Sequence, residues 1–311
     1  MNMVLSRATF SAIALVGALV ILTASFAGAA SVGEIPLGKI RHDIAAVAYA
    51  GGESFKYDIS WTGGIKIGEL HMQQKISTAC KECFTLDTLI TSTGGIIHKL
   101  YPVRDHHVTQ VRGDERLPYY SEIWQKQGRG YRAHKEIVYN QQQHVILKKK
   151  EGDSPRTFRL DGKVHNEFSA FFASRVMNLQ VGSPVIVPTF GDDKRAEVVV
   201  RTLEKSLLKD TLLGDVETLK VSPILTFSGL YDKKGDTLIW YTADECRVPV
   251  RVQSKIVIGS LTATLVEYSN AKCSRYLQRS PDFAGEKHVN RLPFPSYITK
   301  RSSNDNFTSI H

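Results

Sequence analysis

From Phe55 to Trp61 the chain alternates: Phe55, Tyr57, Ile59 and Trp61 are apolar, and Ser54, Lys56, Asp58 and Ser60 between them are polar. A period of two belongs to a strand with one dry and one wet face, because successive side chains leave a strand on opposite sides. Gly63-Gly64 then turns the chain. Ile65 and Ile67 share one parity and Leu70 and Met72 the other, with Gly68 between them, so a bulge is expected at Gly68. Phe84, Leu86, Thr88 and Ile90 resume the pattern until Thr93-Gly94-Gly95 ends it. Further strands are read at about 119–127, 130–139, 144–150, 185–190, 196–203, 216–221, 238–242, 248–258 and 261–268, with Gly259-Ser260 linking the last two as a hairpin. Ten to twelve antiparallel strands need their edges protected, and closure protects them. The expected fold is therefore mainly β: an antiparallel curved sheet or a closed, or nearly closed, β-barrel.

One segment breaks the period. Phe168, Phe171, Phe172, Val176 and Leu179 fall at helical spacing, with Asn166 placed to cap and Gly182 and Pro184 placed to stop the helix. Ala170, Ala173 and Met177 make much of the remaining surface apolar. A helix that is apolar on most sides must be covered, so it is expected inside the sheet or across the mouth of the barrel. Arg175 on this helix is a guanidinium headed for burial and needs an anion. That anion is either a core carboxylate or the phosphate or carboxylate of a ligand.

The N-terminus carries an address. Arg7 is the single charge in the first 30 residues, an apolar run extends from Ala8 through Phe26, and Ala27-Gly28-Ala29-Ala30 follows. This reads as a signal peptide over 1–30, with an uncleaved anchor as the alternative. The rest divides into a lead segment 31–50, one β domain 51–276 and a polar tail 277–311. Of the 311 residues 42% are apolar and 23% charged, a globular composition that argues against disorder. The net charge of +9 gathers in residues 96–160, which hold 13 Lys+Arg against 7 Asp+Glu. Export removes nucleic acid as a partner, and no RNA- or DNA-binding motif accompanies the charge. An anionic envelope component remains a partner for it.

Cys80, Cys83, Cys246 and Cys273 are even in number and lie in the part expected to be exported, where oxidation is the default. Of three possible connectivities the simplest joins Cys80 to Cys83 and Cys246 to Cys273; the crossed pairings would staple early strands to late ones. Cys-Lys-Glu-Cys looks like a redox motif, but it falls between two strands instead of at a helix N-terminus that would lower a thiol pKa.

Three landmarks resemble the bacterial DUF3108 family of exported proteins of unknown function. They are Phe55-Lys56-Tyr57-Asp58-Ile59-Ser60-Trp61 with Gly64-Ile65-Lys66-Ile67-Gly68-Glu69, Asn166-Glu167-Phe168-Ser169-Ala170-Phe171-Phe172 through Arg175 to Val181-Gly182, and Ile239-Trp240-Tyr241-Thr242-Ala243-Asp244 to Arg247-Val248-Pro249-Val250. The resemblance spans roughly residues 50–268. It implies a periplasmic or envelope location and a β-rich fold akin to the open barrels that carry lipids or lipoproteins, and it supplies no catalytic residue.

No nucleophile elbow, P-loop, His-Glu-x-x-His or dinucleotide fingerprint occurs, so neither a catalytic residue nor a cofactor is expected. The richest polar cluster, His98, Arg104, Asp105, His106 and His107, reads as a solvated loop. A copper or zinc site is the alternative there, although in a strand His106 and His107 would face opposite sides. Asp244 and Arg247 are expected to order a turn through an ion pair. The function expected is a non-enzymatic periplasmic protein, peripheral to the membrane at most, that binds an apolar or amphipathic, lipid-like ligand or maintains the envelope. Phe168, Phe171, Phe172, Arg175 and Trp61 are its candidate ligand-binding residues. The alternatives are an interaction protein with a solid core and, behind it, an envelope hydrolase.

Overall fold

In the computed structural model, residues 35–62, 64–78, 80–94, 98–99, 101–224, 237–256 and 259–279 are described. The expected signal peptide, and the tail apart from its first three residues, lie outside them.

Among the described residues a strand forms in each segment where alternation was read; 257–258, the end of the strand expected over 248–258, lie outside them. The strands are β1 Glu53–Trp61, β2 Ile65–Ile76, β3 Cys83–Ser92, β4 Val103–Arg112, β5 Leu117–Gln127, β6 Tyr131–Asn140, β7 Val145–Lys150 and β8 Arg156–Arg159. After a helix follow β9 Val185–Gly191, β10 Lys194–Thr211, β11 Gly214–Ile224, β12 Thr237–Thr242, β13 Pro249–Lys255, β14 Ser260–Ser269 and β15 Gln278–Arg279. One antiparallel path runs β8-β7-β6-β5-β4-β3-β2-β1-β14-β13-β12-β11-β10-β9, with β15 beside β14. The pairing of β1 with β14 joins the first meander to the last and curls the sheet. The bulge lies where parity flips: Ile59 pairs with Gly68 and Ser60 with Lys66, leaving Ile67 as the extra residue. A Cβ on Gly68 would lie 2.5 Å from the Thr91 carbonyl oxygen, so only glycine lets β3 approach here.

The sheet does not close, because β8 and β9 end the path without pairing with each other. Other contacts bridge the gap. Phe158 of β8 meets Phe190 of β9 with ring centroids 5.3 Å apart. Lys148 and Arg156 both reach Asp193, in the turn after β9. The β9 backbone is also covered: His165 N–H donates to Pro188 O at 2.8 Å, Phe190 N–H donates to His165 O at 2.7 Å, and Ile186 N–H donates to Pro36 O at 2.8 Å.

The helix is α2, Glu167–Ser174, shorter than the span to Leu179 that its apolar spacing predicts. Past Ser174 the backbone serves another purpose: Val176 O accepts from Arg41 N–H at 2.9 Å, and Met177 bridges Ile40. Apolar residues 176–179 are buried, but by pairing with the lead segment. That segment also forms a helix the sequence did not announce, α1 His42–Ala48, which buries Ile44, Ala45 and Ala48. Residues 103–112 form a largely buried strand, β4, so Arg104 to His107 do not lie in the solvated loop expected for the His98–His107 cluster.

Asn166 caps α2 and anchors it. Its Oδ1 accepts from Ser169 N–H at 2.8 Å, the Ser169 hydroxyl accepts from Asn166 N–H at 2.9 Å, and Asn166 Nδ2 donates to Thr109 of β4 and Ser121 of β5. Asn166→Ala therefore removes a helix cap and leaves two buried hydroxyls short of a donor, a loss of roughly 2 kcal/mol. Urea denaturation checks this, with Glu167→Ala, which leaves the cap intact, as the milder comparison.

Candidate functional site

Arg175 follows α2 and is wholly buried. Its Nη2 donates to both oxygens of Glu53, at 2.8 and 2.9 Å, and to the carbonyls of Ala48 and Cys246, at 3.2 and 3.3 Å. The guanidinium also lies over Phe55 and Phe172, 5.2 and 5.9 Å from the ring centroids. Glu53 accepts in addition from Tyr268 Oη at 3.0 Å and Asn270 Nδ2 at 3.2 Å. The anion is thus a core carboxylate. Burial pushes the Glu53 carboxyl up more than its donors pull it down. Burial also works against the Arg175 charge, but Glu53 outweighs it and holds the guanidinium above its ordinary value.

Around this pair the concave face is filled. Phe55, Met72, Leu86, Val250 and Leu265 are none of them more than 3% exposed. One or two residues further toward the β13–β14 hairpin this changes. By alternation Ile59, Leu70, Ile90, Val252 and Ala263 also point to the concave side, and all are half-buried. Phe168, Ala170 and Phe171 of α2 are half-buried too, while Phe172 on the packed side is fully buried. The helix packs one end of the concave face, and at the other end the apolar side chains form a half-buried patch, the recess, whose inner side rests on the core. Trp61 lies at that open end, half-buried beside Gly259.

The wall made by β4 to β6 is polar. Asp105 accepts from Gln125 Nε2 at 3.4 Å and also from Gln127. Lys135 is half-buried on the same face, and burial lowers its pKa, with Lys148 and Lys150 adding to the effect. Glu167, at the start of α2, is reached by solvent although protein surrounds it closely, as expected of a group inside a concavity. That enclosure and Asp192 raise its pKa. His107 closes the inner edge: its ring lies 4.8 Å from Phe168, its Nε2 is buried with no hydrogen-bond partner, and burial pushes its pKa down to about 3. The recess is apolar on one side and polar on the other.

The five candidate ligand-binding residues separate. Phe168 and Phe171 face the recess, Trp61 stands at its open end, Phe172 belongs to the packed core and Arg175 is committed to Glu53. The His98–His107 cluster disperses. His98 bonds Ser92 Oγ at 2.8 Å, His106 bonds Asp87 at 2.8 Å on the convex face, and Asp105 and His107 face inward. Asp244 orders its turn through Thr242, Cys246 N–H and Tyr276, at 2.7, 3.0 and 2.9 Å, and not through an ion pair with Arg247. The disulfides are Cys80–Cys83 and Cys246–Cys273, the near-neighbour pairing. Lys135 and Glu167 were missed as lining residues. Their one sequence signal is parity, which places Lys135 on the face of Ile137 and Tyr139.

A family model described as a protein of unknown function, DUF3108, matches residues 56–266. No curated protein matches the chain. Among solved structures, a β-barrel-like protein of the domain of unknown function DUF1849 from Brucella abortus is similar with a TM-score of 0.50 at 10% identity, over 70% of this chain and 97% of that one. A hypothetical protein from Chlamydia trachomatis is also similar, at 9% identity and a TM-score of 0.34, over 72% of this chain and 90% of that one. At such identities the first likeness shows the fold alone.

Glu53→Ala would strand the Arg175 charge in the core, and a loss of roughly 3–5 kcal/mol in urea denaturation is expected. pH acts through His107 and His165, both buried neutral and pushed down to about 3 and about 4. Below an ordinary histidine value near 6.5 the unfolded chain takes up protons that the folded chain refuses, so these groups cost stability as pH falls from about 6.5 toward 4. Denaturation midpoints at pH 7 and pH 5 measure this slope, and His107→Phe is expected to flatten it.

Proposed function

We propose the following function for this chain, which belongs to the DUF3108 family of proteins of unknown function: it is an exported, non-enzymatic binding protein that takes one amphipathic, lipid-like molecule into the open end of its curved sheet. The observation that carries the reading is the contrast along the concave face, buried beside α2 and half-buried beyond it. An apolar chain laid on Ile59, Leu70, Val252, Ala263 and the edges of Phe168 and Phe171 would remove that surface from water, at about 25 cal/mol per Å². A polar head would meet the half-buried Lys135, with Glu167 nearby at the start of α2. A concave, mostly apolar surface with a few polar groups is the usual form of a small-molecule site. The apolar leader at residues 8–26 and the two disulfides support export to an oxidising compartment.

Native mass spectrometry of protein purified from the cell envelope is expected to show a bound lipid, and delipidated protein to take up a fluorescent fatty acid. Ala263→Trp, which fills the recess from its apolar wall, is expected to reduce uptake about tenfold, the effect of losing roughly 1.4 kcal/mol of binding. No co-purified lipid together with no uptake would overturn the reading in favour of a solid-core interaction protein. Fractionation of cells making the full chain tests export separately.

A further inference from the structure

The convex face of β3 to β6 carries a second cluster, apart from the recess. Direct cross-strand pairing sets His106 opposite Trp124 and Trp124 opposite His134. The three rings stack, with centroids 5.2 and 5.3 Å apart and planes 16° and 5° from parallel. At one end of the stack Asp87 Oδ1 holds His106 Nε2 at 2.8 Å. At the other, the His134 ring is kept parallel to the indole and its Nε2 lies 2.7 Å from Glu122 Oε1. Glu136 completes the group: it is two residues from His134 on the same face of β6 and directly opposite Glu122. One ligand atom from each of Glu122, His134 and Glu136 lies within 4.8 Å of the others, and all three side chains are half-buried. Among the described residues no lysine or arginine forms a salt bridge with either glutamate; the one ionic contact is that of His134 with Glu122.

Two carboxylates held side by side repel unless a cation lies between them. We propose that Glu122, His134 and Glu136 bind a divalent transition-metal ion of the zinc class. One imidazole nitrogen and two carboxylate oxygens suit such an ion at about 2.0–2.2 Å each, with water completing the shell. Ligand atoms on a tetrahedral ion of that size stand about 3.4 Å apart, inside the 4.8 Å within which these three already lie. The stack supplies the part that usually has to be built: a histidine whose ring plane is already fixed. A depression of ≈ 200 Å³ beside the stack is lined by His134 with Trp124, Arg132 and Glu151, so the imidazole is the member of the group that borders it.

The test uses untagged full chain, stripped with a chelator and then titrated with Zn²⁺ against a chromophoric competitor. One Zn²⁺ per chain is expected. Glu136→Gln and His134→Ala are each expected to weaken binding at least by the roughly tenfold that losing even an outer partner costs. His98→Ala, away from the cluster, is expected to bind like the unaltered chain. No stoichiometric Zn²⁺ binding by the unaltered chain overturns the proposal. So does unchanged affinity in Glu136→Gln, a near-isosteric variant whose fold circular dichroism verifies.

Discussion

A guanidinium placed in an apolar core is tolerable only if its charge is met at once, and meeting it fixes every group that does so. Arg175 binds Glu53 at the start of β1, the Ala48 carbonyl at the end of α1 and the Cys246 carbonyl in the loop before β13. Glu53 in turn holds Tyr268 and Asn270 at the end of β14. Four chain segments far apart in sequence, 48–53, 175, 246 and 268–270, therefore converge on one pair of charges. The Cys246–Cys273 bridge ties two of those segments again. With α2 held at its C-terminus by this pair and at its N-terminus by Asn166, the helix is fixed across the concave face. Where it lies decides which part of that face is core and which is open.

The sheet supplies the frame for both candidate sites, and its period of two separates them. His106 and His107 are neighbours in sequence, yet one stacks on Trp124 outside while the other touches Phe168 inside. The same holds for His134 and Lys135. Adjacent residues of β4 and β6 thus serve two surfaces that share a backbone.

Much of the fold was legible because alternation is written residue by residue: β1, the bulge beside Gly68 and most strands after the helix follow from it directly. β4 was hidden because Arg104, Asp105, His106 and His107 are polar on both parities, and only the covering helix on one face and the aromatic stack on the other bury the last three. The C-terminal end of α2 was overestimated for a related reason: Val176, Met177 and Leu179 are apolar and buried, but burial alone does not tell a helix from a segment bridged to a neighbour. Arg175 announced its need for an anion. Nothing in the sequence marks Glu53 as that anion, since a glutamate opening an amphipathic strand looks like any other. The recess itself was foreseen only as a possibility of the fold, because which layer a helix leaves empty depends on where its ends are held.

The junction between β8 and β9 carries a further consequence. In a closed barrel the circumference is set by an unbroken ladder of backbone hydrogen bonds, which salt hardly affects. Here that junction rests on an aromatic contact and on two cations shared by Asp193, which are partly exposed. A buried apolar cluster of Tyr139, Ile146, Val164 and Phe190 backs them. At this seam the girth of the protein is therefore set by side chains, whereas elsewhere it is set by the backbone ladder.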